Sequence, residues 1–181
     1  MDKIKNSKLI IFILVLIDQI TKLVVNSFFK EKSFRFLYGK LGFDVYLNKY
    51  YMSIFNSNLR LNLSTLVLTL INLITLLFLI SFYLYIVESN SLNKLLRISL
   101  ILIISANICS IIDKVFWGGS LDFIVFFGYI IDIKDILLYL GVFSFGIIYI
   151  YKYEIRKIDM RDVENLKFKN YFKYIKSIFV W

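Results

Sequence analysis

Four long apolar segments alternate with polar ones along the chain, and their lengths set the expected architecture. Residues at about 8–29, 63–87, 95–112 and 136–151 are runs of Leu, Ile, Val and Phe with few charges. About 20 apolar residues cross a hydrocarbon core, so each run predicts a transmembrane helix. The first run looks like a secretory leader as far as Ile17, but D18-Q-I-T-K22 follows where a small-residue cleavage site belongs, so it reads as a retained span. Asn72 in the second run predicts a hydrogen bond to a neighbouring helix. Ser105, Asn107 and Ser110 in the third predict a face turned into the bundle rather than to lipid. Tyr149, Tyr151 and Tyr153 fit an aromatic belt at the end of the fourth.

Residues 30–62 are too polar to span. Phe34, Phe36 and Tyr38, then F43-D-V-Y-L47, alternate in part around Gly39 and Gly42, which predicts short strands or a hairpin. The expected fold class is therefore an all-α polytopic membrane protein. It has four transmembrane helices and a small extracytoplasmic β platform between helices one and two. Residues 1–151 form the membrane domain, and residues 152–181 a basic tail. In the tail, Leu166, Phe168, Phe172, Ile175 and Phe179 recur at roughly helical intervals, so a surface-lying amphipathic helix and a solvated tail are both open.

Composition narrows the chemistry. The chain is 59% hydrophobic, above the roughly 45–50% of soluble domains, and its mean hydropathy is +0.73. Histidine is absent, which removes Ser-His and Cys-His nucleophile pairs and the HExxH zinc site. The single cysteine, Cys109, lies inside an apolar run and forms no internal disulfide. Carboxylates, lysines and hydroxyls remain. The net charge of +9 reads as a positive-inside bias with attraction to anionic membrane lipid, and no nucleic-acid-binding module is present. The amino end, the Glu88–Lys94 loop and the tail carry most of the basic residues, so both termini are expected in the cytoplasm. Lys30, Lys32, Arg35, Lys40, Lys49 and Arg60 in the platform work against that assignment.

The candidate chemistry lies in residues 113–141, which hold Asp113, Asp122, Asp132 and Asp135 between two apolar runs. Ionised groups lose hydration there, so such residues point to function. Asp18 and Lys22, spaced i and i+4, share a helix face and can pair in support. Asp122 is expected on a loop after Gly118-Gly119, and Asp135 at the entrance of the fourth span. If the two converge, they share one proton. The ionised member then activates water and the protonated member hydrogen-bonds a peptide carbonyl, which is the aspartic protease mechanism. Two rivals use the same residues. One is a Ser-Lys protease built on Ser120 with Lys114 or Lys134. The other is a small transporter or ion-conducting subunit using the acidic cluster.

The order of the motifs resembles the lipoprotein signal peptidase (signal peptidase II) family. D18-Q-I-T-K22 matches its D-Q-x-T-K motif. C109-S-I-I-D113-K114 followed by G118-G-S-L-D122-F123 matches G-N-x-x-D-R…G-x-V-x-D-F in part. I131-D-I-K-D135 matches F-N-x-A-D, the glycine at Gly141 is kept, and N48-K-Y50 matches N-x-G weakly. Ser110 stands for the family's Asn, Lys114 for Arg, Asp132 for Asn and Lys134 for Ala. The resemblance covers about residues 8–151. It implies catalytic Asp122 and Asp135, with Asp18, Lys22, Asn48, Ser110, Asp113, Lys114 and Asp132 in supporting or substrate-binding roles. It implies no metal or organic cofactor. The substrate would be a bacterial prolipoprotein, cut just before its diacylglyceryl cysteine. The protein would be a monomer in the bacterial cytoplasmic (inner) membrane, with its active site at the extracytoplasmic interface.

Overall fold

The structure, a computed structural model, describes residues 2–49, 63–88, 94–150 and 168–179. Tyr151, Tyr153, Leu166 and the second half of the expected platform lie outside the described residues, as does the side chain of Tyr149. Four helices form the bundle: α1 (Asp2–Phe28), α2 (Thr65–Glu88), α3 (Lys94–Ile112) and α4 (Ile133–Ile150). The chain contains no proline to break them. Three stretches among the described residues are long and apolar enough to cross a membrane: Asn6–Phe28, Thr65–Glu88 and Lys94–Trp117. The third is 44% buried within the bundle, against 17% and 11% for the first two. The third stretch is therefore the more enclosed, and α1 and α2 turn large side chains such as Leu9, Phe12, Leu66, Ile74 and Leu77 outward. That much exposed hydrocarbon suits contact with lipid rather than water.

Polar side chains on the spans are used between helices. Asn72 Nδ2 on α2 donates to Ser110 Oγ on α3 at 2.9 Å, the interhelical bond its position predicted. Tyr83 Oη donates to Ser7 Oγ on α1 at 2.8 Å. Ser105 is fully buried, as expected, but its hydroxyl donates to the Ile101 carbonyl of its own helix at 2.8 Å.

Helices α3 and α4 cross closely at Gly141. A Cβ there would stand 2.7 Å from Ile103 Cγ1 and 3.1 Å from the Ile103 nitrogen. A small residue at the crossing lets the two backbones approach. Gly141→Leu is therefore expected to destabilise the protein by about 1–3 kcal/mol through overpacking. A lowered Tm in detergent would show this, with Gly146→Leu as the control, because a Cβ at Gly146 meets nothing within 4 Å.

One end of the bundle carries a four-stranded antiparallel sheet in the order β1-β2-β3-β4, made of β1 (Ser33–Phe36), β2 (Leu41–Asn48), β3 (Ser120–Phe126) and β4 (Tyr129–Ile131). The expectation of a platform confined to the segment between helices one and two is thus corrected. Half of the sheet comes from the segment after α3. The expected loop position of Asp122 is corrected as well, since Asp122 lies within β3, paired with Tyr46 of β2. The sequence S-L-D-F-I-V-F of β3 is buried on both faces for most of its length, so it lacks the alternation that announces a half-exposed strand. β3 and β4 join through a two-residue turn, Phe127-Gly128, with φ of 48° and 90°. Positive φ at both positions matches the twist of the strands.

Val25, Leu121 and Phe123 form a small core under the sheet, joined by Phe43, Leu47, Trp117 and Ile133. A larger core links Phe82, Tyr83, Tyr85 and Ile86 of α2 to Leu96, Leu100 and Ile104 of α3. The tail contributes a helix, α5 (Phe168–Phe179). Its Tyr171 is buried against Phe78, Phe82 and Tyr85, and its hydroxyl lies 2.5 Å from Ser81 Oγ.

Candidate active site

Three local devices bring the acids together where the sheet meets the helices. The first ends α3. Residues Asp113–Trp117 continue it as a single π-helical turn, closed by Gly118 in the left-handed conformation at φ 63°. A π turn adds a residue to the helical circuit and is frequent at functional sites. Here Asp113 and Lys114 are buried on it, and Phe116 is exposed.

The second is the pairing of β2 and β3. Asn48 stands opposite Ser120, and Tyr46 opposite Asp122. A Cβ on Gly119 would come within 2.6 Å of the Asn48 carbonyl oxygen, so glycine is what lets the strands meet there. This fixes Asn48 beside the strand that carries Asp122.

The third starts α4. Asp132 Oδ1 accepts from the Asp135 backbone N–H at 3.1 Å, while Asp135 Oδ2 accepts from the Asp132 N–H at 3.3 Å. This reciprocal arrangement is a capping box, and it satisfies two backbone donors at the helix start. The spacing D132-I-K-D135 is the sequence form of such a box, at the helix entrance expected for Asp135. The Asp18 carboxylate takes a further donor of the same turn, the Lys134 N–H, at 3.1 Å.

Two buried ammonium groups hold the acids. Lys22 Nζ is 2.9 Å from Asp18, 2.6 Å from Asp113 and 2.7 Å from Asp132. Lys134 Nζ is 2.5 Å from Asp132, 3.3 Å from Asp113, and 3.8 Å from both Asp122 and Asp135. It also donates to Ser120 Oγ at 2.5 Å, and Ser120 donates to Asp122 Oδ1 at 2.6 Å. Carboxylate oxygens of Asp122, Asp132 and Asp135 lie within 4.8 Å of one another. Such spacing could hold a metal ion, but the Lys134 ammonium already stands against all three, and a cation would have to displace it.

The environment divides the acids by charge. Burial pushes the Asp122 carboxyl up to about 7, against the pull of Lys134 and of the Ser120 hydrogen bond. Asp132 is also raised by burial, but the attraction of Lys134 and then Lys22 outweighs it and holds its carboxyl below the usual range. Asp122 is thus suited to carry a proton near neutrality, and Asp132 to stay ionised. The Asp135 side chain is 26% exposed and that of Asp122 7% exposed, so Asp135 is the member open to an incoming group.

Of the residues singled out from sequence, Asp18, Lys22, Asp113, Asp122, Asp132 and Asp135 converge. Ser110 and Lys114 do not join them directly. Lys114 Nζ donates to Ser110 Oγ at 2.7 Å, and the same hydroxyl accepts from Asn72. The position of Gln19 inside D18-Q-I-T-K22 gave no hint of its role. Its Nε2 donates to Asp18 at 2.9 Å and Asp113 at 3.1 Å, and its Oε1 accepts from the Trp117 indole at 3.2 Å.

Residues 10–151 match the family described as Signal peptidase (SPase) II. The chain belongs to the signal peptidase II family. Membership makes it a multi-pass membrane peptidase of lipoprotein processing. Two solved structures are similar, both described as bacterial membrane enzymes determined by the in meso method. The one at 2.3 Å resolution has a TM-score of 0.69 and 25% identity, over 86% of this chain and 94% of that chain. The one at 1.9 Å has a TM-score of 0.63 and 27% identity, over 80% of this chain and 92% of that chain. No curated protein matches in a sequence search.

Proposed function

We propose that the chain is an aspartic endopeptidase that cuts bacterial prolipoproteins just before the diacylglyceryl cysteine, with Asp122 and Asp135 as the catalytic dyad. The observation that carries this reading is the approach of the Asp122 and Asp135 carboxylates to within 4.8 Å from two different elements. At rest Asp122 holds the shared proton and Asp135 is ionised, where the start of α4 favours negative charge. Asp135 takes a proton from water, which attacks the scissile carbonyl. Asp122 hydrogen-bonds the carbonyl oxygen and then helps protonate the leaving amine. Asp18, Lys22 and Asp113 orient the centre. Lys114 and Ser110 brace α3 beside it, and Asn48 holds substrate backbone at the end of β2. Water is the only other reactant, so no metal or organic cofactor is needed.

In this reading α4 is the fourth span, its 18 residues being just long enough. Both termini are cytoplasmic, and the sheet lies at the outer face of the inner membrane. A monomer suffices, since one chain supplies both carboxylates. Exposed Phe36, Tyr38, Phe127 and Tyr129 on the sheet suit the headgroup layer and the acyl chains of the substrate.

The Ser-Lys alternative has one observation in its favour, the 2.5 Å contact between Lys134 Nζ and Ser120 Oγ. That ammonium lies within 4 Å of four carboxylates, which keep it charged, and a charged lysine cannot take a proton from serine. The Ser120 hydroxyl is committed as a donor to Asp122.

Incubation with a lipobox peptide tests the function. The diacylglyceryl form is expected to be cut just before cysteine, and the unlipidated form to be left intact. Equal cutting of both would contradict the substrate assignment. Activity should decline on the alkaline side as Asp122 loses its proton near pH 7. A rate still rising through pH 9 would remove Asp122 from the role of acid.

A further inference from the structure

Two of the chain's departures from the family pattern lie side by side at the start of α4. Asp132 stands where the family motif has Asn, and Lys134 where it has Ala. They face each other at 2.5 Å with side chains 0% and 8% exposed. One acid and one ammonium add no net charge to the buried centre. The same positions bear on the dyad, because Lys134 Nζ is equidistant, at 3.8 Å, from Asp122 and Asp135.

We infer that Asp132 and Lys134 form one built-in ion pair that sets the charge state of the Asp122–Asp135 centre, with Lys134 as its positioning residue. The inference rests on the proposed dyad and deepens it.

The charged neighbours among the described residues all enter the balance. Lys134 faces Asp113 from the π turn, Asp122 from β3, and Asp132 and Asp135 from its own segment. Asp18 of α1 accepts its backbone N–H, and Lys22 of α1 competes for Asp132 and Asp113. Lys114 of the π turn adds like charge. The ammonium favours ionisation of the dyad, and its hydrogen bond to Ser120 fixes the hydroxyl that orients Asp122. Asp132 holds the ammonium in place and partly cancels its field. The two functions of Asp132 are separable, because Asn caps a helix as well as Asp does. Asp132→Asn therefore removes charge and keeps the start of α4.

Opposite shifts follow for the two single changes. In Lys134→Met a positive charge leaves, so each dyad ionisation moves to higher pH, by about one unit. In Asp132→Asn the ammonium is less opposed, and each moves to lower pH by about one unit. In the double variant Asp132→Asn/Lys134→Ala one charge of each sign leaves, so the opposite shifts offset and the positions return close to those of the unaltered protein.

The test is an infrared titration of the full-length protein in nanodiscs. It follows the protonated-carboxyl band that disappears in Asp122→Asn, beside the pH profile of lipopeptide cleavage. The inference expects the midpoint to rise in Lys134→Met, fall in Asp132→Asn and return in the double variant, with both limbs of the cleavage profile moving likewise. A midpoint unmoved in Asp132→Asn overturns it even if Lys134→Met fails to fold, because the cap is kept. A midpoint that stays displaced by about one unit in the double variant, in either direction, also overturns it. The infrared arm stands apart from the protease reading. Midpoint shifts without cleavage by the unaltered protein would sink the protease and leave the ion pair.

Discussion

Asp122→Asn is expected to lower cleavage by about 10³–10⁴-fold while making the protein more stable at pH 8. The two effects have one cause. Burial lifts the Asp122 carboxyl from 3.8 to about 7. Between those values the folded protein holds a proton that the unfolded chain has released. Stability is therefore lost as pH rises from about 4 to 7, and at pH 8 the full cost is present. A shift of that size corresponds to at most about 4 kcal/mol. Asparagine keeps an oxygen to accept from Ser120 and has no charge to bury, so the cost disappears. The rate falls because the group can no longer exchange a proton with the carbonyl and the leaving amine. Thermal unfolding in detergent at pH 5 and pH 8 checks the stability half. The Tm advantage of Asp122→Asn should appear at pH 8 and shrink at pH 5. An equal Tm difference at both values would mean that Asp122 is not the buried acid described.

The second large effect belongs to Lys22. Its ammonium is completely buried and is the ionic partner of Asp18, besides pairing with Asp113 and Asp132. Lys22→Met keeps the length of the side chain and leaves three buried carboxylates short of a cation. Breaking a buried pair in this way costs about 3–5 kcal/mol, or a Tm lower by roughly 10 °C. Lys22→Arg should rescue little, because the planar guanidinium does not fit a pocket shaped around a compact ammonium. Thermal scanning of the purified variants decides this, and a Tm for Lys22→Met within about 2 °C of the unaltered protein would contradict it.

The large features were readable because they are properties of continuous segments. The spans expected at 63–87 and 95–112 appear as α2 at Thr65–Glu88 and α3 at Lys94–Ile112. Apolar runs of that length have few alternatives. β1 and β2 were readable from the glycines and partial alternation of residues 34–47. β3 was not, because a strand buried on both faces looks like any short apolar run, and its turn is Phe-Gly rather than Asn-Gly. The site divides in the same way. The Asp18–Lys22 pair was legible from its i, i+4 spacing, and D132-I-K-D135 carried a capping signal. The meeting of Lys22 with Asp113, 91 positions away, depends on how α1 packs against the end of α3, and no local pattern encodes it. The contact of Lys114 was no more legible, since it is the π turn that directs its ammonium to Ser110.

The most direct test of the account is mass spectrometry of the products formed from a diacylglyceryl lipobox peptide by four proteins in proteoliposomes: unaltered, Asp122→Asn, Asp135→Asn and Ser120→Ala. The account predicts a product beginning at the lipidated cysteine from the unaltered protein, none above background from either Asp→Asn variant, and cleavage by Ser120→Ala within about tenfold of unaltered, the loss of one positioning hydrogen bond. Turnover at the unaltered rate by either Asp→Asn variant, or complete loss in Ser120→Ala, would contradict it.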